Sequence, residues 1–372
     1  MKTKGALLWE PGTGSGWTID EIELDPPKEG EVLVRVAAAG LCHSDAHLDS
    51  GDLILDFAPV LGGHEGAGVV EEVGPGVTSL RPGDHIVLSF IPSCGHCQPC
   101  VSGRQNLCDL GAEAMQDYAL DGTHRVHSHG KGVGAFCYLG TFSPYCVVPV
   151  NSAIKIDSSV PLDKAAIVSC GVPTGWGSAV YAAETRIGDT VVVIGVGGVG
   201  INAVQGARHA GAAKVIAVDP VAFKREMAPE FGATHTAAGF EEAADLVGEL
   251  TGGTMADCAI VAIGVGQGKY LDDVQMLVRK GGVVVLPSSP PMLDRNVTLD
   301  LNSFAMSGKR LQGTVYGSCN PANDIPMLLG LYMDGALKLD ELITNTYTLE
   351  EINKGYQDMQ SGKNLRGIIT FD

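Results

Sequence analysis

Six consecutive residues, Gly195-Val196-Gly197-Gly198-Val199-Gly200, constrain the fold of this chain more than any other stretch. They follow an unbroken apolar run, Val191-Val192-Val193-Ile194, and lead into an amphipathic pattern from Val199 to Ala210. A β-branched run with no polar face reads as a strand buried on both sides, and the pattern after it as a helix. Further strands are predicted at 214–219, 258–262 and 283–286, with helix-like segments between them. Such alternation from about Val172 to Val315 implies a doubly wound α/β domain, a parallel sheet covered on both faces.

The six residues satisfy G-x-G-x-x-G. In a chain with 50 glycines the letters alone are weak, and a turn with no ligand satisfies them too. The context decides: a strand before, a helix after, and an acid, Asp219, ending the next strand. Gly195 allows the tight turn, Gly197 the close approach of a pyrophosphate and Gly200 the packing of helix on strand. Gly198 and Val199 lead into the helix N-terminus, whose free N–H groups and partial positive charge suit phosphate. Asp219, 19 residues after Gly200, is placed to accept from ribose hydroxyls and to repel the extra phosphate of NADP. NAD is the expected cofactor of this Rossmann-type domain.

A chain of 372 residues is too long for one ordinary core. Residues 1–171 are glycine- and proline-punctuated, with short β-type runs such as 31–36 and 85–88, and suggest an irregular β-rich domain. The tail, 316–372, carries one helix-like run (325–333) and a terminal strand (367–371), and is assigned to the same domain. The formal net charge of −18 disfavours nucleic acid and anionic membranes as partners. No run approaches the roughly 20 apolar residues of a membrane span, and the N-terminal apolar run is too short for a signal peptide. A cytoplasmic location is expected, where thiols stay reduced and clustered cysteines serve as metal ligands.

Cys94, Cys97, Cys100 and Cys108 form C-x2-C-x2-C-x7-C in a lobe at about 91–111. Four thiolates this close can close a tetrahedral shell around one structural zinc. A ferredoxin-type iron–sulfur run has three residues before its fourth cysteine and a proline after it; here there are seven, and Asp109 follows. A zinc deaminase needs H-x-E, and no histidine in the chain has Glu two residues on.

Cys42, His64 and Cys170 are far apart, and spacing does not bring them together. A lone buried Cys is usually a small core hydrophobe. However, Gly63-His64-Glu65-x2-Gly68-x5-Gly74-x2-Val77, the four-cysteine lobe, the glycine turn and their order resemble the zinc-dependent alcohol dehydrogenases of the medium-chain dehydrogenase/reductase family over essentially the whole length. The resemblance implies a GroES-like catalytic domain whose catalytic zinc is held by Cys42, His64 and Cys170, with Glu65 as an alternate or supporting ligand. Two thiolates, one imidazole and an open position are the ligand set known for alcohol dehydrogenase zinc. Ser44 matches the hydroxyl that touches the substrate oxygen, His47 the end of a proton relay, and Asp45 the carboxylate orienting His64. His43 stands where the family often has arginine near the pyrophosphate. Lys224 fits the adenosine-ribose contact, Thr174 the nicotinamide pocket and Arg366 a further pyrophosphate contact; without the family, Lys224 and Arg366 read as solvated surface charges. Phe90, Tyr138 and Leu139 match apolar substrate-pocket positions, or ordinary core.

Within the family, the length, the lobe and Asp121-Gly122-Thr123 resemble the long-chain and glutathione-dependent formaldehyde branch. That branch carries arginine where this chain has Ala112, and two residues are missing between Thr141 and Phe142, which argues against a glutathione adduct. Bacterial nitrosodimethylaniline-dependent alcohol dehydrogenases, which can retain NAD(H), are a nearer resemblance. The resemblance therefore implies NAD-linked oxidation of a primary or secondary alcohol to an aldehyde or ketone, two zinc ions per chain, a small-molecule alcohol or aldehyde as partner and a homodimer or homotetramer. The alternatives are a thiol-adduct formaldehyde dehydrogenase and a non-catalytic nucleotide-binding structural protein on the same fold.

Overall fold

The structure, a computed structural model, describes residues 1–371; Asp372, the last residue of the expected catalytic domain, lies outside them. Two compact units divide the chain, one of residues 1–170 with 320–372 and one of residues 171–319.

The first unit is β-rich and irregular. Lys2–Leu8, Thr18–Leu24, Val126–Ser128, Lys131–Ala135 and Val60–Leu61 close a small barrel. A second sheet runs in the order Ala153–Lys155, His85–Leu88, Gly66–Val73, Glu31–Gly40, Arg366–Thr370, Ile343–Tyr347, with Tyr145–Pro149 also paired to Glu31–Gly40. Strand Glu31–Gly40 shows why: Val32, Val34 and Val36 are fully or almost fully buried, while Arg35 between them is exposed. This two-residue alternation gives the strand one core face, and each buried valine contributes about 2 kcal/mol. The tail supplies the neighbouring strand, so the C-terminal segment completes the sheet begun at the N-terminus.

The second unit holds a six-stranded, all-parallel sheet in the order His235–Ala237, Lys214–Val218, Thr190–Ile194, Ala256–Val261, Val278–Leu286, Arg310–Gly313. In chain order this is 3-2-1-4-5-6, the doubly wound arrangement, whose ligand crevice lies at the carboxyl ends of the first and fourth strands. Val191, Val192 and Val193 are fully buried, as a central parallel strand requires. Helix Gly200–His209 begins directly after the glycine turn. Among the described residues, no helix is long and apolar enough to cross a membrane.

Candidate metal and nucleotide sites

Sheet order, not chain order, assembles the first site. Strands Glu31–Gly40 and Gly66–Val73 are antiparallel neighbours, so the end of one meets the start of the other. Cys42 follows the first, leading into helix His43–Ser50; His64 and Glu65 precede the second. Cys170 follows a short turn, Ala166–Ser169, and the Gly66 N–H donates to Ser169 Oγ at 3.2 Å, fastening that turn beside Glu65. Ligand atoms of Cys42, His64, Glu65 and Cys170 consequently lie within 4.8 Å of one another, and all four residues are buried.

Each surrounding contact orients this cluster. Asp45 Oδ1 accepts the Gly63 N–H at 2.8 Å, and Gly63, with φ +94°, makes the bend that only glycine adopts freely. The other Asp45 oxygen, Oδ2, lies 2.8 Å from His64 Nδ1. Phe90 and Phe136 stand edge-on to the imidazole, with centroids 5.6 and 5.4 Å away. Both His64 nitrogens are buried and neither makes a well-aligned hydrogen bond, with Nδ1 facing Asp45 and Nε2 left towards the thiols. An orphaned imidazole nitrogen facing two thiols is costly unless a cation completes it, so these residues fit a zinc ion.

The charges agree. The hydrogen bond with Cys170 holds the Cys42 thiol well below its usual range, helped by His64 and Arg366. The same contact, with burial, drives Cys170 well above it. Burial opposes charge on His64, yet Asp45 and Cys42 outweigh it and raise its pKa. Burial pushes Glu65 up to about 7, against the pull of Arg366. A dication among these groups would favour both thiols ionised around a neutral imidazole.

Arg366 is no solvated charge. It is buried and in ion contact with Glu65. Ser44 Oγ lies 3.8 Å from Cys42 Sγ. His47, 5% exposed, has its Nδ1 3.3 Å from Asp52 Oδ2, and its ring centroid 6.4 Å from that of His43. Phe90 reaches the cluster, whereas Leu139 packs into the sheet core with Val34, Val70 and Leu88, and Tyr138 lines a small cavity with Glu31 and Arg125. Sequence reasoning missed Phe136, Ser169 and Asp52. The nearness of Asp52 to His47 in the chain was the one available signal.

In the lobe, the sulfurs of Cys94, Cys97, Cys100 and Cys108 lie within 4.8 Å of one another, with Cys94–Cys100 and Cys97–Cys108 each 3.9 Å apart. Backbone N–H groups of Cys97 and Cys94 point at Cys94 Sγ and Cys108 Sγ, at 3.3 and 3.4 Å. Backbone donation, from His96 first, lowers Cys94 to about 7, while burial pushes Cys100 up to about 12. Four sulfurs this close to one another fit one structural zinc.

The nucleotide turn stands in the second unit. Gly195 has φ +82°, and a Cβ there would press on the Ala262 carbonyl; a Cβ on Gly200 would strike the Gly195 carbonyl. Gly198 accepts from Asn202 Nδ2 at 2.8 Å, and Val199 precedes the helix. Asp219 is buried, with Oδ2 accepting the Val196 N–H and Oδ1 the Val221 N–H, both at 2.9 Å. Its carboxylate therefore also ties the turn to the adjoining strand end. Lys224 Nζ would be 3.7 Å from a Cβ on Gly197, which places the ammonium beside the turn. Thr174 lies buried in helix Gly171–Gly177.

Known proteins resemble this chain over its whole length. Residues 28–158 match the alcohol dehydrogenase GroES-like domain, and residues 198–333 the zinc-binding dehydrogenase domain. The NDMA-dependent alcohol dehydrogenase of Amycolatopsis methanolica is 53% identical over 369 residues, 99% of each chain. Alcohol dehydrogenase B of Mycobacterium tuberculosis is 49% identical over 372 residues, all of this chain and 99% of that one. Benzyl alcohol dehydrogenase from Acinetobacter calcoaceticus superposes over 100% of both chains with a TM-score of 0.92 at 28% identity. The chain belongs to the zinc-dependent alcohol dehydrogenases of the medium-chain dehydrogenase/reductase family.

Proposed function

We propose that this protein oxidises a primary or secondary alcohol to an aldehyde or ketone by hydride transfer to NAD. Cys42, His64 and Cys170 hold the catalytic zinc, and Cys94, Cys97, Cys100 and Cys108 a structural one. The observation that carries this reading is the buried convergence of two thiols on an imidazole nitrogen with no other partner. Bound there, zinc supplies Lewis acidity, which lets an alcohol surrender its proton near neutral pH.

The chain's own residues do the rest. Ser44, at the edge of the cluster, takes the hydroxyl proton. His47, backed by Asp52, receives it and releases it to solvent. Asp45 holds the His64 ring so that Nε2 faces the ligand position. The Gly195–Gly200 turn and helix N-terminus bind the pyrophosphate, while Asp219 and Lys224 take the adenosine ribose and Thr174 the nicotinamide. Phe90 offers an apolar wall to the substrate.

Three finer readings accompany this one. NAD is retained between turnovers, as the likeness to the nitrosodimethylaniline-dependent group suggests. Copies pair through strand Arg310–Gly313, an edge exposed along its whole length, giving a homodimer or homotetramer. Ten free thiols suit a reducing, cytoplasmic setting.

Metal analysis with an alcohol panel tests the main reading. Wild type should carry two zinc ions per chain and oxidise free alcohols in preference to formaldehyde plus a thiol. Cys42→Ser should lose one zinc and essentially all turnover with an unchanged circular dichroism spectrum. Near wild-type turnover in Cys42→Ser would show the site assignment to be wrong.

A further inference from the structure

Three adjacent strands of the larger sheet in the first unit end at one place. Glu31–Gly40 finishes at Gly40, Gly66–Val73 starts one residue after Glu65, and Arg366–Thr370 starts with Arg366. The register pairs Ala39 with Gly66 and Gly40 with Ile368, and the Gly40 N–H donates to the Glu65 carbonyl at 3.3 Å. Gly40 thus stands between the chains that carry Glu65 and Arg366. Its backbone is not left-handed, so conformation does not demand glycine here. Space does. A Cβ at this position would strike Glu65 Oε2 first and Arg366 Nη2 next.

Glu65 is drawn in two directions. Its carboxylate is in ion contact with Arg366, yet a Glu65 oxygen also lies within 4.8 Å of the ligand atoms of Cys42, His64 and Cys170. A cation held by all four residues would have a closed tetrahedral shell, with no position for an exchangeable ligand. A fully buried carboxylate settles wherever positive charge compensates it, so the guanidinium and the ion compete for the same group.

We propose that Gly40 is a positioning residue: by leaving the space in which Glu65 pairs with Arg366, it keeps Glu65 off the metal and the fourth coordination position open. The proposal rests on the metal reading above, and adds which residues set the ligand number.

Azide titration of the cobalt(II)-substituted full-length protein, followed by visible absorption, tests it. Wild type should bind azide with a shift of the cobalt bands. Gly40→Ala should weaken azide binding about tenfold or more, because the added methyl expels Glu65 towards the ion. Gly40→Ala/Glu65→Asp should recover it, since the shorter carboxylate clears the methyl. If Gly40→Ala fails to fold, Arg366→Met removes the competing cation without adding bulk and should weaken azide binding to the same degree. Unchanged azide affinity in whichever of these two proteins folds overturns the proposal, as does a Gly40→Ala loss that Glu65→Asp leaves in place. Absence of a thiolate-to-cobalt band that Cys42→Ser removes would be a different result; it sinks the metal reading and the proposal with it.

Discussion

Asp45 Oδ2 stands 2.8 Å from His64 Nδ1, and neither side chain is more than 2% exposed. With its other oxygen on the Gly63 N–H, the carboxylate braces the bend that carries His64 as well as the ring itself. Burial raises the Asp45 pKa, and the His64 charge works against that rise, so the pair is stable only as a pair. A carboxylate at this distance favours the tautomer with Nδ1 protonated, which would leave Nε2 to ligate a metal.

Asp45→Asn should weaken zinc binding at the Cys42 cluster by about 10- to 100-fold, since the amide cannot select the tautomer as the carboxylate does. Chelator competition on the purified protein measures this. The four-cysteine lobe should keep its zinc, so the loss should be close to one ion per chain. Unaltered affinity would remove Asp45 from its orienting role.

His47→Ala should slow alcohol oxidation by about 100-fold, with the greatest loss at low pH. Without the imidazole the proton must leave to hydroxide, whose concentration falls as pH falls. The pH profile of kcat/KM is the measurement, and a profile that keeps its wild-type shape would remove His47 from the relay. Asp52→Asn should reproduce a smaller part of the same change, because Asp52 touches His47 and not the cluster.

Asp84 gives the pH dependence of stability a defined source. Its carboxylate accepts from Lys155 Nζ at 2.7 Å and from the Arg81 N–H at 3.0 Å, and the Lys155 bond holds its pKa below the ordinary 3.8. A depressed acid binds fewer protons folded than unfolded, so its contribution is present above pH 3.8 and is lost as pH falls through the folded value. Urea midpoints between pH 5 and 2 should fall more steeply for wild type than for Asp84→Asn. Parallel slopes would show that this carboxylate contributes nothing to acid sensitivity.

The sequence by itself determined whatever depends on neighbouring residues. The glycine turn is legible because strand, turn, helix N-terminus and Asp219 form one short unit, whose bond geometry leaves little choice. The four-cysteine lobe is legible for the same reason: a loop that short brings its sulfurs within reach of one ion whatever the rest of the chain does. Only tertiary structure decided the rest. Cys42, His64 and Cys170 meet because two antiparallel strands place their ends side by side and a hydrogen bond pins a third segment there, and no local pattern encodes that pairing. Burial decided the remaining cases. Arg366, a pyrophosphate contact by resemblance and a surface charge by residue type alone, lies buried against Glu65, and Leu139, open in sequence between pocket wall and core, packs in the sheet core. A side chain's chemistry is written in its letter, but its solvent and its partners are set by residues far away in the chain.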